Sequence, residues 1–257
     1  MFSADVLVWA AFETAKICVP TIIDGWLGRV SPRKCDQRLD SWSKNLVRLA
    51  GIQVETRGRE HITPGESFVV MSNHQSHFDI PVVFQALGIP IRMVAKRELF
   101  RIPVMGSAMR YSGFVEVDRS RHARAVRSLA AARERLQRDQ TSVWIAPEGT
   151  RSVDGALAAF KRGGFHMAID AGLRILPVAV DGTLRVLRAK ETQVHKGQTV
   201  RVVIRPPVDV SSYGRARTDE LVAAVRVSIV QGLKESTLQG NPPQEDPPQE
   251  DTAEPLG

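Results

Sequence analysis

Residues 68–84 read FVVMSNHQSHFDIPVVF. The first four are apolar, the next eight (Ser72 to Asp79) are mostly hydrogen-bonding groups, and Pro81 follows closely on Asp79. A short apolar run bounded by turn formers reads as a buried strand. An acid followed by proline at the head of a second apolar run reads as a helix start, where a missing N–H costs nothing and a carboxylate can accept orphan amides. The stretch is therefore strand, polar turn, helix. It puts two histidines and an acid where α/β sheets carry their chemistry, at the carboxyl end of a strand.

The same alternation runs outward from this unit. Apolar, β-branched runs over 91–95, 114–117, 142–146, 175–180 and 200–204 predict further strands. Between and after them, helical patterns fall over 81–87, 122–138, 163–171 and 219–234. Strands alternating with helices predict an α/β domain over 51–238, with a central, mostly parallel or mixed sheet covered by helices.

The first 50 residues have a different period. From Val6 to Leu27 the longest unbroken apolar run, Val6 to Phe12, is far below the roughly 18 to 20 residues of a simple membrane span. Asp5, Glu13 and Lys16 also rule out a secretory signal pattern. At 100° per residue these three charges share a sector of about 80°, which leaves a broad apolar face. A second helical pattern (Leu39, Trp42, Leu46, Leu49) stops at Gly51, and the break between the two falls at Gly28 to Pro32. Residues 1–50 are thus expected to form an amphipathic helical hairpin. Its apolar face can pack on the protein's own core or lie in a membrane interface, and the second use is the expectation here.

Composition narrows the partners. The net charge is +7, but residues 241–257 hold five acids and no Lys or Arg, so the remainder carries about +12. That excess suits an anionic partner: nucleic acid, a membrane surface or a phosphorylated substrate. Cys18 and Cys35 form neither a CxxC pair nor a disulfide framework. The tail repeat PPQEDPPQED has no apolar side chain to bury, so 239–257 is expected to be disordered.

The polar turn sets a geometric test. Five residues on an ideal helix leave two side chains about 140° apart, so His74 and Asp79 could not meet on one. They meet if His74 lies in the turn and Asp79 opens the helix. The carboxylate would then accept an imidazole N–H, fix the tautomer and leave the other nitrogen as a general base. His77 completes an HxxH spacing with His74, but no third ligand stands nearby at a familiar interval, and no metal is expected. Three more segments gather charge at element boundaries. PEGTRS (147–152) follows a strand, FKRGGF (160–165) opens a helix with two cations and two glycines, and GFVEVDR (113–119) ends a strand with an Asp-Arg pair.

Taken in order, NHQSHFD (73–79), GFVEVDR (113–119), PEGTRS (147–152) and ILPVAV (175–180) resemble the four blocks of the glycerolipid acyltransferases that include the 1-acyl-sn-glycerol-3-phosphate acyltransferases. The likeness covers about 45–210, and it implies that family's fold. It also implies acyl transfer from an acyl thioester, acyl-CoA or acyl carrier protein, to the free hydroxyl of a lysophospholipid in phospholipid biosynthesis, without a cofactor. By resemblance His74 and Asp79 are catalytic. Glu148, Gly149, Thr150 and Arg151 bind the acceptor, with Arg119 and Lys161 as further phosphate contacts and Asn73 in an oxyanion or positioning role. The acceptor expected is 1-acyl-sn-glycerol 3-phosphate, with other lysophospholipids, glycerol 3-phosphate or a lyso-ornithine lipid as alternatives. Glu116 departs from the second block, where an apolar residue is usual, and could face solvent or alter the acceptor pocket. The expected location is the cytoplasmic face of the cell membrane, in peripheral or monotopic attachment.

Rival classes lack their signatures. No GxSxG nucleophile elbow occurs, which argues against a hydrolase. No zinc-finger or RRM pattern occurs and only 6% of residues are aromatic, too few for stacking on bases, so nucleic acid is not an expected partner. A catalytically idle lipid-binding relative remains, against which the intact His74, Asp79 and PEGTRS segment argue.

Overall fold

The protein is described from a computed structural model covering residues 4–117, 136 and 138–238. It opens with helices α1 (Ala4–Trp26) and α2 (Pro32–Leu49). The break between them is set by Ser31, which is extended and accepts a hydrogen bond from Lys34 N, and by Pro32 at the first helical position.

The described residues then build a seven-stranded sheet from β1 (Gln53–Arg57), β2 (Val69–Ser72), β3 (Ile91–Lys96), β4 (Val115–Val117), β5 (Ser142–Ile145), β6 (Ile175–Asp181) and β7 (Thr199–Ile204). Their order is β1-β7-β6-β2-β5-β3-β4, and every pairing is parallel except β6 with β7. The helices that follow the hairpin among the described residues include α3 (Asp79–Leu87), α4 (Met105–Ser112), α5 (Gly163–Ala171), the short α6 (Thr183–Val186) and α7 (Thr218–Leu238). The mixed, mostly parallel sheet anticipated from the alternation is what forms.

Both faces of the sheet are covered, which is why its central strands are apolar throughout rather than alternating. Phe68, Val70, Leu176 and Val178 point to one core, shared with Val82 and Val83 of α3 and Leu39 of α2. Val69, Met71, Ile175 and Ala179 point to the other, shared with Phe165 and Ala168 of α5 and Leu221, Val225 and Ile229 of α7. The period of two along each strand thus feeds two cores at once.

Strand and helix positions agree with the sequence reading to within a few residues. Three elements went unread. Strand β1 alternates exposed Gln53, Glu55 and Arg57 with half-buried Val54 and Thr56, a polar edge pattern without an apolar run. Helix α4 is only eight residues with Gly106 inside it, and α6 only four. The helix expected over 122–138 and the tail at 239–257 fall outside the described residues, apart from Leu136 and Arg138.

The hairpin divides its two expected uses. Helix α2 buries Cys35, Leu39, Ser43 and Leu46 against the domain, and Asp36 accepts a hydrogen bond from the buried Arg92 of β3 at 2.7 Å. Helix α1 packs on α2 and α4, with Val6 and Cys18 buried, yet Trp9, Phe12, Ile23 and Trp26 stand exposed on its outer side. No helix among the described residues is long and apolar enough to cross a membrane.

Candidate active site

Three adjacent parallel strands, β6, β2 and β5, end side by side, and the segments leaving them build one site. After β2 the chain does not continue as a helix. It turns through residues 73–78, and α3 begins at Asp79. That turn removes the 140° separation: Nδ1 of His74 lies 2.6 Å from Oδ2 of Asp79. Asp79 is fully buried and its Oδ2 also accepts Gln75 N at 2.7 Å and Ser76 N at 2.9 Å. A buried carboxylate costs several kcal/mol if left bare, on the order of 1–3 kcal/mol or more per missing partner, and here the amides of its own turn supply the donors.

His74 itself is partly accessible, with 16% of its side chain exposed. With Nδ1 committed to Asp79, Nε2 is the nitrogen left for a substrate. The imidazole stands edge-on to Trp144 of β5, with centroids 5.5 Å apart and planes at 85°, and Trp144 is fixed by its own Nε1–H to Ser72 Oγ. The ring therefore has a carboxylate behind it, an aromatic wall beside it and one free edge.

The PEGTRS segment leaves β5 and clamps His74 by its backbone. Glu148 Oε1 accepts His74 N at 2.9 Å, and Ser152 N donates to His74 O at 2.7 Å. The second oxygen of Glu148 accepts Ala158 N at 2.8 Å. Glu148 is only 2% exposed, and burial pushes its carboxyl above the usual range, opposed by those two amide hydrogen bonds. Both oxygens of Glu148, the residue for which the resemblance implies acceptor binding, are met by main-chain amides, so the side chain braces the turn that carries His74. Asn73, expected in an oxyanion or positioning role, donates its amide to Val180 O and accepts Val180 N, both at 2.8 Å, and so joins the turn to β6.

Three of the remaining expected residues, Gly149, Thr150 and Arg151, belong to the PEGTRS segment. Gly149 adopts a left-handed φ of 75°, which lets the segment fold back so that its N–H meets Ala146 O. Thr150 is exposed and Arg151 half-buried. Partial desolvation lowers the pKa of the His77 imidazole, and Arg151 is near enough to add to the effect. Lys161 has an exposed side chain, while its N–H donates to Pro147 O and ties the cation to the base of the PEGTRS turn. Its neighbor Arg162 is paired with Asp219. Arg119 lies outside the described residues. Glu116 faces Arg97 at 3.6 Å and Arg110 at 3.8 Å, so its charge is countered by two guanidinium groups.

Sequence reasoning missed Trp144, Ser152 and Thr183. The first two sat in segments already read as strand and binding loop. Thr183 follows β6 and donates its hydroxyl to Asp79 Oδ1, a contact across 104 residues that no local pattern carries.

An apolar cavity of about 320 Å³ opens beside the turn, between α1, α2 and α4. Its walls include Ile17, Cys18, Leu39, Trp42 and Met109, and His77 reaches it from the turn after β2.

Comparison with known proteins agrees with this arrangement. A sequence profile described as acyltransferase matches residues 53–181, which span the turn, the PEGTRS segment and β6. The chain is 32% identical over 192 residues to the mouse 1-acyl-sn-glycerol-3-phosphate acyltransferase alpha, covering 75% of this chain and 67% of that one. It is 33% identical over 190 residues to the 1-acyl-sn-glycerol-3-phosphate acyltransferase of Salmonella typhimurium, covering 74% and 76%. The crystal structure of the 1-acyl-sn-glycerophosphate acyltransferase PlsC from Thermotoga maritima superposes with a TM-score of 0.70 at 26% identity, over 90% of this chain and 95% of that one. A histidine–aspartate pair at the end of a central parallel strand, the ordered segments around it and these matches place the chain in the acyltransferase family.

Proposed function

We propose that this protein is a lysophosphatidic acid acyltransferase: it moves a fatty acyl group from an acyl thioester, acyl-CoA or acyl carrier protein, to the free hydroxyl of 1-acyl-sn-glycerol 3-phosphate, giving phosphatidic acid. The observation that carries this reading is the contact of 2.6 Å between His74 Nδ1 and the buried Asp79, on a ring whose other nitrogen is left to work.

In this reading Nε2 of His74 takes the proton of the glycerol hydroxyl as its oxygen attacks the thioester carbonyl. Asp79 holds the tautomer and stabilizes the imidazolium. The tetrahedral intermediate collapses with a new C–O bond formed and the C–S bond broken. The proton then passes from the imidazolium to the departing thiolate, which returns His74 to its starting state. No acyl-enzyme and no cofactor enter the balance.

The acceptor carries a phosphate of about two negative charges, and Arg151 and Lys161 are the cations at the rim of the PEGTRS turn. Arg119, in the neighboring block, is assigned to the same group. Turnover measured as thiol release from acyl-CoA with lysophosphatidate tests the reading directly, and a protein silent with every acyl donor and acceptor would overturn it. In the same assay Arg151→Ala should raise KM for lysophosphatidate by about tenfold while sparing a neutral monoacylglycerol, because a charge-assisted contact is lost from substrate and transition state alike. An unchanged KM for every acceptor would count against Arg151.

The apolar cavity beside His77 has the lining to take an acyl chain while the carbonyl waits at His74. The outer side of α1 gives the lipid contact. Trp9 and Phe12 are each 52% exposed and Trp26 is 77% exposed, a surface a soluble helix would cover. Leu99, Ile102 and Val104 add exposed apolar side chains ahead of α4, the helix on which α1 packs. This supports peripheral attachment to a membrane, assigned here to the cytoplasmic face of the cell membrane. Replacing Trp9, Phe12 and Trp26 together with glutamate should weaken binding to anionic vesicles at least about tenfold, given the apolar area withdrawn. Turnover of short-chain soluble substrates should persist, and vesicle flotation unchanged from the parent would refute the surface.

A further inference from the structure

We infer that Thr183 is a positioning residue for the acyl transfer assigned above, its buried hydroxyl holding one oxygen of Asp79 so that the other stays on His74; the role rests on that reading of the reaction. None of the four blocks contains this residue, since the last ends at Val180.

The two oxygens of Asp79 have different work. Oδ2 receives three donors: the Nδ1–H of His74 and the N–H groups of Gln75 and Ser76. Oδ1 receives the hydroxyl of Thr183. Asp79 and Thr183 are both fully buried, so solvent cannot replace that donor. Without it Oδ1 would be an anionic oxygen in a dry site with no partner. The carboxylate would then gain by turning about its Cβ–Cγ bond to share the donors of Oδ2. Any such turn moves the imidazole, because Nδ1 follows the oxygen it is bonded to. A general base must sit within hydrogen-bond reach of the proton it takes, and small displacements cost rate out of proportion to the stability involved.

The chain is shaped to deliver this hydroxyl. β6 lies next to β2, so the residue that follows β6 emerges beside the turn that follows β2. Gly182 makes the approach with φ 103°, and a Cβ there would stand 2.6 Å from Thr199 O, so a side chain at 182 would push Thr183 away. A second tie runs between the same segments: Ser76 Oγ donates to Leu187 O at 2.7 Å. The segment 183–187 therefore grips the catalytic turn at Ser76 and at Asp79, one through a main-chain acceptor and one through a side-chain donor. The second is the one that acts on the reacting pair.

The test compares Thr183→Val, which keeps the shape and removes the donor, with Thr183→Ser, which keeps the donor, in full-length protein. Thiol release with lysophosphatidate and acyl-CoA is followed beside wild type and His74→Ala. Thr183→Val should lower kcat about ten- to a hundredfold, the worth of a buried hydrogen bond to a charged group, with KM for lysophosphatidate within roughly twofold of wild type. Thr183→Ser should restore most of kcat. The proton NMR signal of His74 Nδ1–H, assigned by its loss in His74→Ala, should shift in Thr183→Val and return in Thr183→Ser. If Thr183→Val melts below the assay temperature, Thr183→Cys, a weak donor of similar size, carries the same expectations. Wild-type kcat in Thr183→Val, an equal loss in Thr183→Ser, or an unmoved Nδ1–H signal would overturn the inference. Should wild type itself transfer no acyl group, the proposed reaction fails, while the NMR arm still reads whether Thr183 controls the pair.

Discussion

His74→Ala should abolish acyl transfer in a protein that remains folded. General-base catalysis alone is worth about 10² to 10⁴-fold, and the loss includes the proton that His74 would return to the thiolate. The fold should survive because residue 74 is held by its backbone. Glu148 accepts its N–H and Ser152 donates to its carbonyl whatever the side chain. The ring is also partly exposed, so its removal opens to solvent more than it empties the core. Thiol release from acyl-CoA and a thermal melt separate the two effects. Near-normal turnover would refute the general-base role, and a collapsed melt would show that the ring is structural.

Asp79→Asn should cost nearly as much, about 10³ to 10⁴-fold in kcat, with a smaller effect on KM. In histidine–carboxylate pairs of this kind the amide preserves the shape but loses the charge that favors the imidazolium, and it can leave the ring in the wrong tautomer. The amide oxygen can still accept from Gln75 and Ser76, so the turn should persist. Asp79→Ala is a different perturbation. It leaves two buried N–H groups and the Thr183 hydroxyl without their acceptor, so the melting temperature should fall along with activity. Activity lost equally in both variants, with only the alanine form destabilized, is the expected pattern. An asparagine variant that turns over like wild type would remove Asp79 from the mechanism.

Much of the architecture can be read along the chain because the sheet is buried on both faces. β2, β5 and β6 are short and almost wholly apolar, and each is followed by polar turn chemistry that marks its carboxyl end. The same boundaries located the site, since His74, Asp79 and the PEGTRS segment all fall just beyond strand ends. β1 escaped because an edge strand with exposed Gln53, Glu55 and Arg57 has no apolar run to announce it. The hairpin was half legible. Periodicity gives each helix an apolar face, but only packing shows that α2 turns its face to the domain while α1 leaves Trp9, Phe12 and Trp26 outside. A helical period reports that a face exists and says nothing about what covers it.

The site residues divide along the same line. The sequence by itself determined that an imidazole and a carboxylate stand in one turn after a buried strand, with cations and glycines gathered at neighboring strand ends. Five residues of chain suffice to specify that encounter, and turn formers and a helix start are local signals. Which partner each polar group takes was decided by tertiary structure alone. Glu148 and Asn73 hold main chain at His74, Ala158 and Val180, partners that their residue types do not name. Thr183 reaches Asp79 because β6 pairs with β2. A hydrogen bond depends on distance and direction between atoms that the chain brings together only when the sheet closes, and strand order is fixed by packing the whole apolar surface at once, so no local stretch of sequence records it.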